Sequence, residues 1–208
     1  MTIQKKTNLL KIKTGLWKNE YLWDLYKKAC TPYSWHNDAF KVAKKFNKVL
    51  FSTPFSIKAV DFLEKFKVPL YKISSFEITD FKLIDYIASK RKTIIMSTGM
   101  STITEIKRAI KIINKYHDKI VILHCVSNYP TDLMDTEIYK INILKKKFKK
   151  YLIGLSDHSN NIFSSIASLP FNIVAIEKHF SIDSKKTPDS EFSINPKMLY
   201  DLKKSSYK

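Results

Sequence analysis

Six short apolar runs recur along these 208 residues: KVLFS (48–52), LYKIS (70–74), TIIMS (93–97), KIVILHC (119–125), YLIGLS (151–156) and IVAIEKHF (173–180). Each reads as a buried β-strand. Between them lie helical patterns near 56–66, 80–90, 101–116, 136–150 and 161–169. The third is the best signed, because Thr102 and Glu105 form a T-x-x-E capping box ahead of Ile106, Ala109, Ile110 and Ile113. The runs restart roughly every 20 to 33 residues, the length of a βα unit, which predicts parallel pairing.

Such units build either an open doubly wound sheet or a barrel. The ends of the runs decide between them. Nearly every run finishes in polar side chains: Ser52-Thr53, Lys72 to Glu77, Ser97-Thr98, His124 to Tyr129, Ser156 to His158, and His179. A ring of strand ends that all contribute polar groups is barrel behaviour. A doubly wound sheet gathers them at one switch point, usually behind a Gly-rich first turn, and this chain has no such turn. Six strands cannot close an eight-stranded barrel. The predicted fold is therefore α/β, a partial TIM (β/α)8 barrel in a single domain over 1–208, with 1–47 a helical lead-in and 48–208 the βα repeats.

Composition excludes several function classes. No run approaches the roughly 18 apolar residues that span a bilayer, and MTIQKKTNLLKIK has no apolar signal core. Cys30 and Cys125 are too few for a disulfide framework, so a cytoplasmic, reduced protein is expected. The net charge of +18 invites a nucleic-acid reading, yet of 37 basic residues only Arg91 and Arg108 are arginine. Specific readout of bases and phosphates leans on arginine's planar fork. The lysines are spread through every helical pattern as solvated faces would be. No specific nucleic-acid function is expected, although weak adhesion to polyanions is.

Two histidines carry the sharpest chemistry. His158 and His179 each follow an apolar run. On consecutive parallel strands their imidazoles emerge at one end of the sheet, about 5 Å apart. A lone histidine ending a strand is more often structural. A pair at that spacing suits a borderline divalent metal with open coordination positions.

In order, the strand ends read FSTPF (51–55), YKISSFEI (71–78), STGM (97–100), HCVSNYP (124–130), GLSDHS (154–159), IEKHF (176–180) and PDSEFSI (188–194). This series resembles the sialic acid (nonulosonic acid) synthase family, which condenses phosphoenolpyruvate with an acylamino sugar. The stretch GLWKNEYLWDLYKKACTPYSWH (15–36) and Phe76, where sialic and legionaminic acid synthases have glycine, are most similar to the family's pseudaminic acid synthases. The resemblance implies a TIM barrel, a divalent metal (Mn2+, with Mg2+ or Co2+ as alternatives) on His158 and His179, and homo-oligomers. It also implies phosphoenolpyruvate contacts from Thr53, Lys72, Ser75, Ser97, Ser127 and Ser156. Glu77 then lies by the phosphate and enol, Asp189 by the sugar hydroxyls, and Tyr129 closes over the substrate. Chemically, a phosphate dianion plus a carboxylate calls for a cation and several hydroxyl or amide donors. Asp157 is expected to fix an imidazole tautomer, His124 to line the site, and Cys125 to act as a small buried hydrophobe. Ser56 and Ser101 read as a helix cap and a turn former.

Measured against that family, the six runs correspond to barrel strands 3–8. The first two strands and a C-terminal antifreeze-like domain have no counterpart in these residues. The implied activity joins phosphoenolpyruvate to a sugar of the 2,4-diacetamido-2,4,6-trideoxy-altrose type, giving pseudaminic acid and phosphate. Alternatives are N-acetylneuraminate or legionaminate synthesis, or a non-catalytic fragment that serves as a binding or assembly module.

Overall fold

Apolar runs become strands where a neighbour pairs with them, and five of the six do so in the computed structural model. It describes residues 7–182 and 187–206; residues 1–6, on which the reading of the N-terminus partly rests, lie outside them. The strands β1 (Leu70–Ile73), β2 (Thr93–Ser97), β3 (Ile120–Cys125), β4 (Leu152–Asp157) and β5 (Ile176–Lys178) follow one another in the sheet in chain order. The pairs β3–β4 and β4–β5 are parallel. Sequential order without reversal is that of a barrel and not of a doubly wound sheet, as predicted.

Residues 48–52 correct the prediction of a sixth strand. They are irregular, none is buried, and Val49 is 69% exposed. A strand needs a paired neighbour to satisfy its backbone groups, and apolar character alone does not supply one.

The chain divides into two compact units. One runs to Ile95 and includes Thr102–Lys119. Its helices are α1 (Leu22–Ala29), α2 (Tyr33–Lys45), α3 (Ile57–Glu64), α4 (Phe81–Ser89) and α5 (Ile103–Ile113). α1 and α2 form the helical lead-in. Each later helix is started by a side-chain cap. Ser56 accepts from the Ala59 amide at 3.2 Å, Asp80 from Leu83 at 3.0 Å, and Thr102 with Glu105 makes the predicted reciprocal box. The buried faces of α4 (Leu83, Ile84, Ile87) and α5 (Ile106, Ala109, Ile110, Ile113) supply the core between those two helices.

The other unit comprises Met96–Ser101 and the chain from Ile120 onward. Here α6 (Lys140–Lys147) and α7 (Phe163–Ser168) cover β4, and α8 (Pro196–Ser206) packs on α7. Thr98 ties the end of β2 to β3, its amide and hydroxyl both donating to the Leu123 carbonyl at 3.1 and 3.0 Å. No helix among the described residues is long and apolar enough to cross a membrane.

β3 alternates its side chains, so His124 and Cys125 face opposite ways. The Cys125 sulfur lies 3.9 Å from His158 Nδ1. His124 does not turn toward that cluster as predicted; its buried Nε2 donates to the Thr136 carbonyl at 2.9 Å. Burial holds the His124 imidazole below its ordinary range, with the Lys140 charge acting in the same sense and the Thr136 carbonyl opposing.

Two outcomes test this packing. A Cβ on Gly154 would meet the Ala175 carbonyl oxygen and the Leu123 side chain at 2.6 Å each. Gly154→Ala is therefore expected to lower stability by about 1–3 kcal/mol in urea titrations; an unchanged midpoint would refute the close approach. For His124 the unfolded chain takes up a proton near pH 6.5, a little before the folded protein does. Its contribution is complete above about pH 6.5 and is lost as pH falls through the lower folded value. Ring-proton titration by NMR should find His124 neutral where exposed histidines are already half charged.

Candidate active site

The register of β4 against β5 sets Ser156 beside Glu177 and Asp157 beside Lys178. His158 and His179 are one residue further on, so they leave adjacent strands at the same level. Their ring centroids are 5.3 Å apart, close to the spacing expected from neighbouring strands.

Each imidazole has its Nδ1 engaged. His158 Nδ1 is 2.8 Å from the Val126 carbonyl oxygen, which can only accept, so Nδ1 carries the proton. His179 Nδ1 is 3.2 Å from Asp189 Oδ2. Both rings are thereby biased to present Nε2 as the lone-pair nitrogen, the arrangement found where a second acceptor orients a metal-binding histidine. Asp189 thus meets His179 directly, and with its side chain 50% exposed it keeps a solvent-facing edge.

Asp157 does not fix an imidazole tautomer as predicted. Strand alternation turns it away from His158, and the Val126 carbonyl takes that place. Asp157 instead pairs with Lys178 at 3.2 Å, both side chains being almost fully buried, and accepts from Ser165 Oγ at 2.6 Å. Burial pushes the Lys178 ammonium below its usual range, against the pull of Asp157.

Tyr129 lies over His158 with ring centroids 4.3 Å apart. The loop bearing it is tied to β4 by the Thr131 amide, which donates to the His158 carbonyl at 3.0 Å. Phe192, buried in the segment 188–194, packs edge-on against both Tyr129 and His179, at 5.1 and 4.7 Å. The Ile194 amide donates to the His179 carbonyl at 2.9 Å, which anchors the segment that presents Asp189.

Ser156 links the pair to Glu177, the carboxylate two residues before His179. Its hydroxyl donates to Glu177 Oε1 at 2.8 Å, and its oxygen is 3.5 Å from His158 Nε2. One hydroxyl has one proton. With that proton on Glu177, a serine lone pair faces an imidazole lone pair, and positive charge at Nε2 relieves the conflict. Consistently, although burial opposes it, the Cys125 sulfur, the Val126 carbonyl and the Glu177 charge together raise the affinity of His158 for a proton. Glu177 precedes His179 by two residues on a strand, so the two-residue period was the signal that could have found it.

The remaining predicted residues divide between the units. Ser97, at the end of β2, has a buried hydroxyl oxygen with no hydrogen-bond partner among the described residues. Ser127 Oγ is 3.9 Å from the Cys125 sulfur. In the first unit, Lys72 at the end of β1 and Ser75 and Glu77 in the 3-10 turn Ser75–Glu77 are all buried. Ser74 hydrogen-bonds the Glu77 carboxylate. Thr53 stands partly exposed in the irregular stretch before α3. The Tyr26 phenol of α1 is held above its usual range by burial and then by the Glu77 charge.

No group of three or more histidine, cysteine or acidic side chains able to hold a metal occurs among the described residues. His158 and His179 are two nitrogen donors of suitable tautomer and spacing. A divalent ion there fits if water and substrate oxygens complete its shell.

The whole chain, residues 1–208, matches the NeuB family. It is 39% identical over 197 residues to the pseudaminic acid synthase of Helicobacter pylori, covering 94% of this chain and 58% of that one. To the N,N'-diacetyllegionaminic acid synthase of Campylobacter jejuni it is 36% identical over 168 residues, 79% of this chain and 50% of the relative. The N-acetylneuraminic acid synthetase of Leptospira borgpetersenii, solved with citrate, superposes with a TM-score of 0.84 at 30% identity, over 88% of this chain and 64% of its own. A truncated 3-deoxy-D-arabino-heptulosonate 7-phosphate synthase from Thermotoga maritima, with a TM-score of 0.72 at 16% identity, shares the fold alone. The chain spans a little over half the length of the curated pseudaminic acid synthases it matches. Its fold is a partial TIM barrel, and the chain belongs to the NeuB family.

Proposed function

We propose that this chain carries the site for condensing phosphoenolpyruvate with an open-chain acylamino sugar to give a nonulosonic acid and phosphate. The observation that supports it most is the His158–His179 pair, with each Nδ1 held by an acceptor and the ring centroids 5.3 Å apart. A divalent ion bound there, Mn2+ in the first instance and Mg2+ or Co2+ otherwise, supplies Lewis acidity toward the sugar aldehyde.

The protein's own residues bind and orient. Within the second unit Ser97, Ser127 and Ser156 offer hydroxyls, and within the first Lys72, Thr53 and Ser75 offer a cation and hydroxyls, the group types that a phosphate and a carboxylate need. The buried hydroxyl oxygen of Ser97, without a hydrogen-bond partner among the described residues, favours that role. Asp189 holds His179 through Nδ1 and offers its exposed edge to sugar hydroxyls. Glu77 stands by the phosphate and enol, and Tyr129 covers the face of His158 and keeps water from it. In the reaction the enol C3 attacks the aldehyde carbon, water adds at C2, and phosphate leaves from the tetrahedral carbon. Catalysis rests on positioning and charge stabilisation. The resemblance to the family extends the proposal to a cytoplasmic homo-oligomer.

The sugar is read as the 2,4-diacetamido-2,4,6-trideoxy-altrose type, supported by Phe76 and by the 39% identity to a pseudaminic acid synthase. The test is phosphate release and product mass from purified protein given phosphoenolpyruvate, Mn2+ and each candidate sugar. Pseudaminic acid is the expected product, and His158→Ala or His179→Ala should slow its formation by on the order of 100-fold. Turnover only with N-acetylmannosamine or the legionaminic precursor would reassign the sugar. A folded protein inactive with all three would favour the binding-module reading.

A further inference from the structure

The β4–β5 ladder ends at the Asp157–Lys178 pair, so the two histidines sit just beyond the last paired residues. Something other than strand pairing must hold them level. Lys178, the residue before His179, does so by its reach. Its ammonium contacts Asp157 Oδ2 at 3.2 Å, the Ser159 carbonyl at 2.5 Å and Ser159 Oγ at 3.3 Å. Those partners flank His158 on both sides. All three ammonium protons are used. The carboxylate is satisfied as well, by the Ser159 amide at 2.9 Å and the Ser165 hydroxyl at 2.6 Å.

We propose that Lys178 is a positioning residue, which clasps the 157–159 segment from the face opposite the imidazoles and so fixes the separation of His158 from His179. The inference rests on the reading of those histidines as a metal pair. Its physical basis is the cost of the arrangement. The Lys178 and Asp157 side chains are only 4% and 1% exposed, and apolar groups of similar volume generally serve stability as well as or better than a buried ion pair. Geometry is what the ion pair adds here: one rigid point of attachment between two strand ends where the backbone ladder has stopped.

The experiment compares the unaltered full chain with Lys178→Met and with the double variant Asp157→Asn/Lys178→Met. The single change leaves a buried carboxylate without its countercharge and is expected to destabilise the fold. The double variant removes that charge, while the introduced carboxamide keeps its oxygen for the Ser159 amide and turns its NH2 toward the Ser165 hydroxyl, which can accept as well as donate, so it should unfold thermally close to the unaltered protein. Two readouts follow on metal-free and Mn2+-titrated protein: the NMR cross-peak between the His158 and His179 rings, and Mn2+ affinity by electron paramagnetic resonance. The folded double variant should lose or weaken the ring cross-peak and bind Mn2+ at least about ten-fold more weakly. A folded double variant that keeps both the cross-peak and the affinity overturns the proposal. If Mn2+ binding to the unaltered chain is indifferent to His158→Ala, the metal reading fails instead. The metal-free cross-peak then still decides the clasp, its loss supporting it and its persistence overturning it.

Discussion

Parallel pairing of β4 with β5 sets the chemistry of the second unit. Because Ser156 is level with Glu177 and Asp157 with Lys178, alternation sorts the strand ends into two faces. One face carries Ser156, Glu177, His158 and His179. The other carries the buried Asp157–Lys178 pair. A slip of one residue would exchange the faces and put an ion pair where the imidazoles now meet. Gly154 lets β4 come within contact distance of the Ala175 carbonyl, which keeps the strands close enough for that register to hold.

On the imidazole face, hydrogen-bond bookkeeping points to a cation. The Val126 carbonyl and Asp189 occupy the two Nδ1 atoms, and the single proton of Ser156 is given to Glu177. What remains at Nε2 of His158 is an imidazole lone pair 3.5 Å from the Ser156 oxygen, beside the carboxylate that this serine engages. A proton or a metal ion would be accommodated there, under the aromatic cover of Tyr129 and Phe192.

Much of this was legible in the sequence, for reasons particular to each element. TIIMS becomes β2 without the shift of a residue, its buried Ile94 and Met96 alternating with half-buried Thr93 and Ile95. The capping box of Thr102 and Glu105 is local and needs no tertiary context. The histidine pair was visible because both residues follow apolar runs. The failures are equally specific. KVLFS (48–52) has a strand's composition, but composition does not reveal whether a neighbour is present to pair with it. The partner of His158 Nδ1 is a backbone carbonyl, which carries no residue-type signal. Lys178 stands apart from the helical lysines by lying inside the apolar run IVAIEKHF, but its partners Asp157 and Ser159 belong to another run and are joined to it only by the fold. Glu177 was within reach of the two-residue strand period, whereas Phe192 joins the site through loop packing that only the folded chain displays.

Family membership, the partial barrel and the paired imidazoles agree with one another, while the chain covers 58% of a pseudaminic acid synthase. The most direct measurement is therefore a Mn2+ titration of the unaltered chain, followed by electron paramagnetic resonance of the free ion, beside His158→Ala and His179→Ala. One ion bound per unaltered chain, and none by either folded variant at the same concentration, is the expected result. Mn2+ binding that survives loss of both imidazoles, or no binding by the unaltered chain, would contradict the assignment of the His158–His179 pair as the metal site.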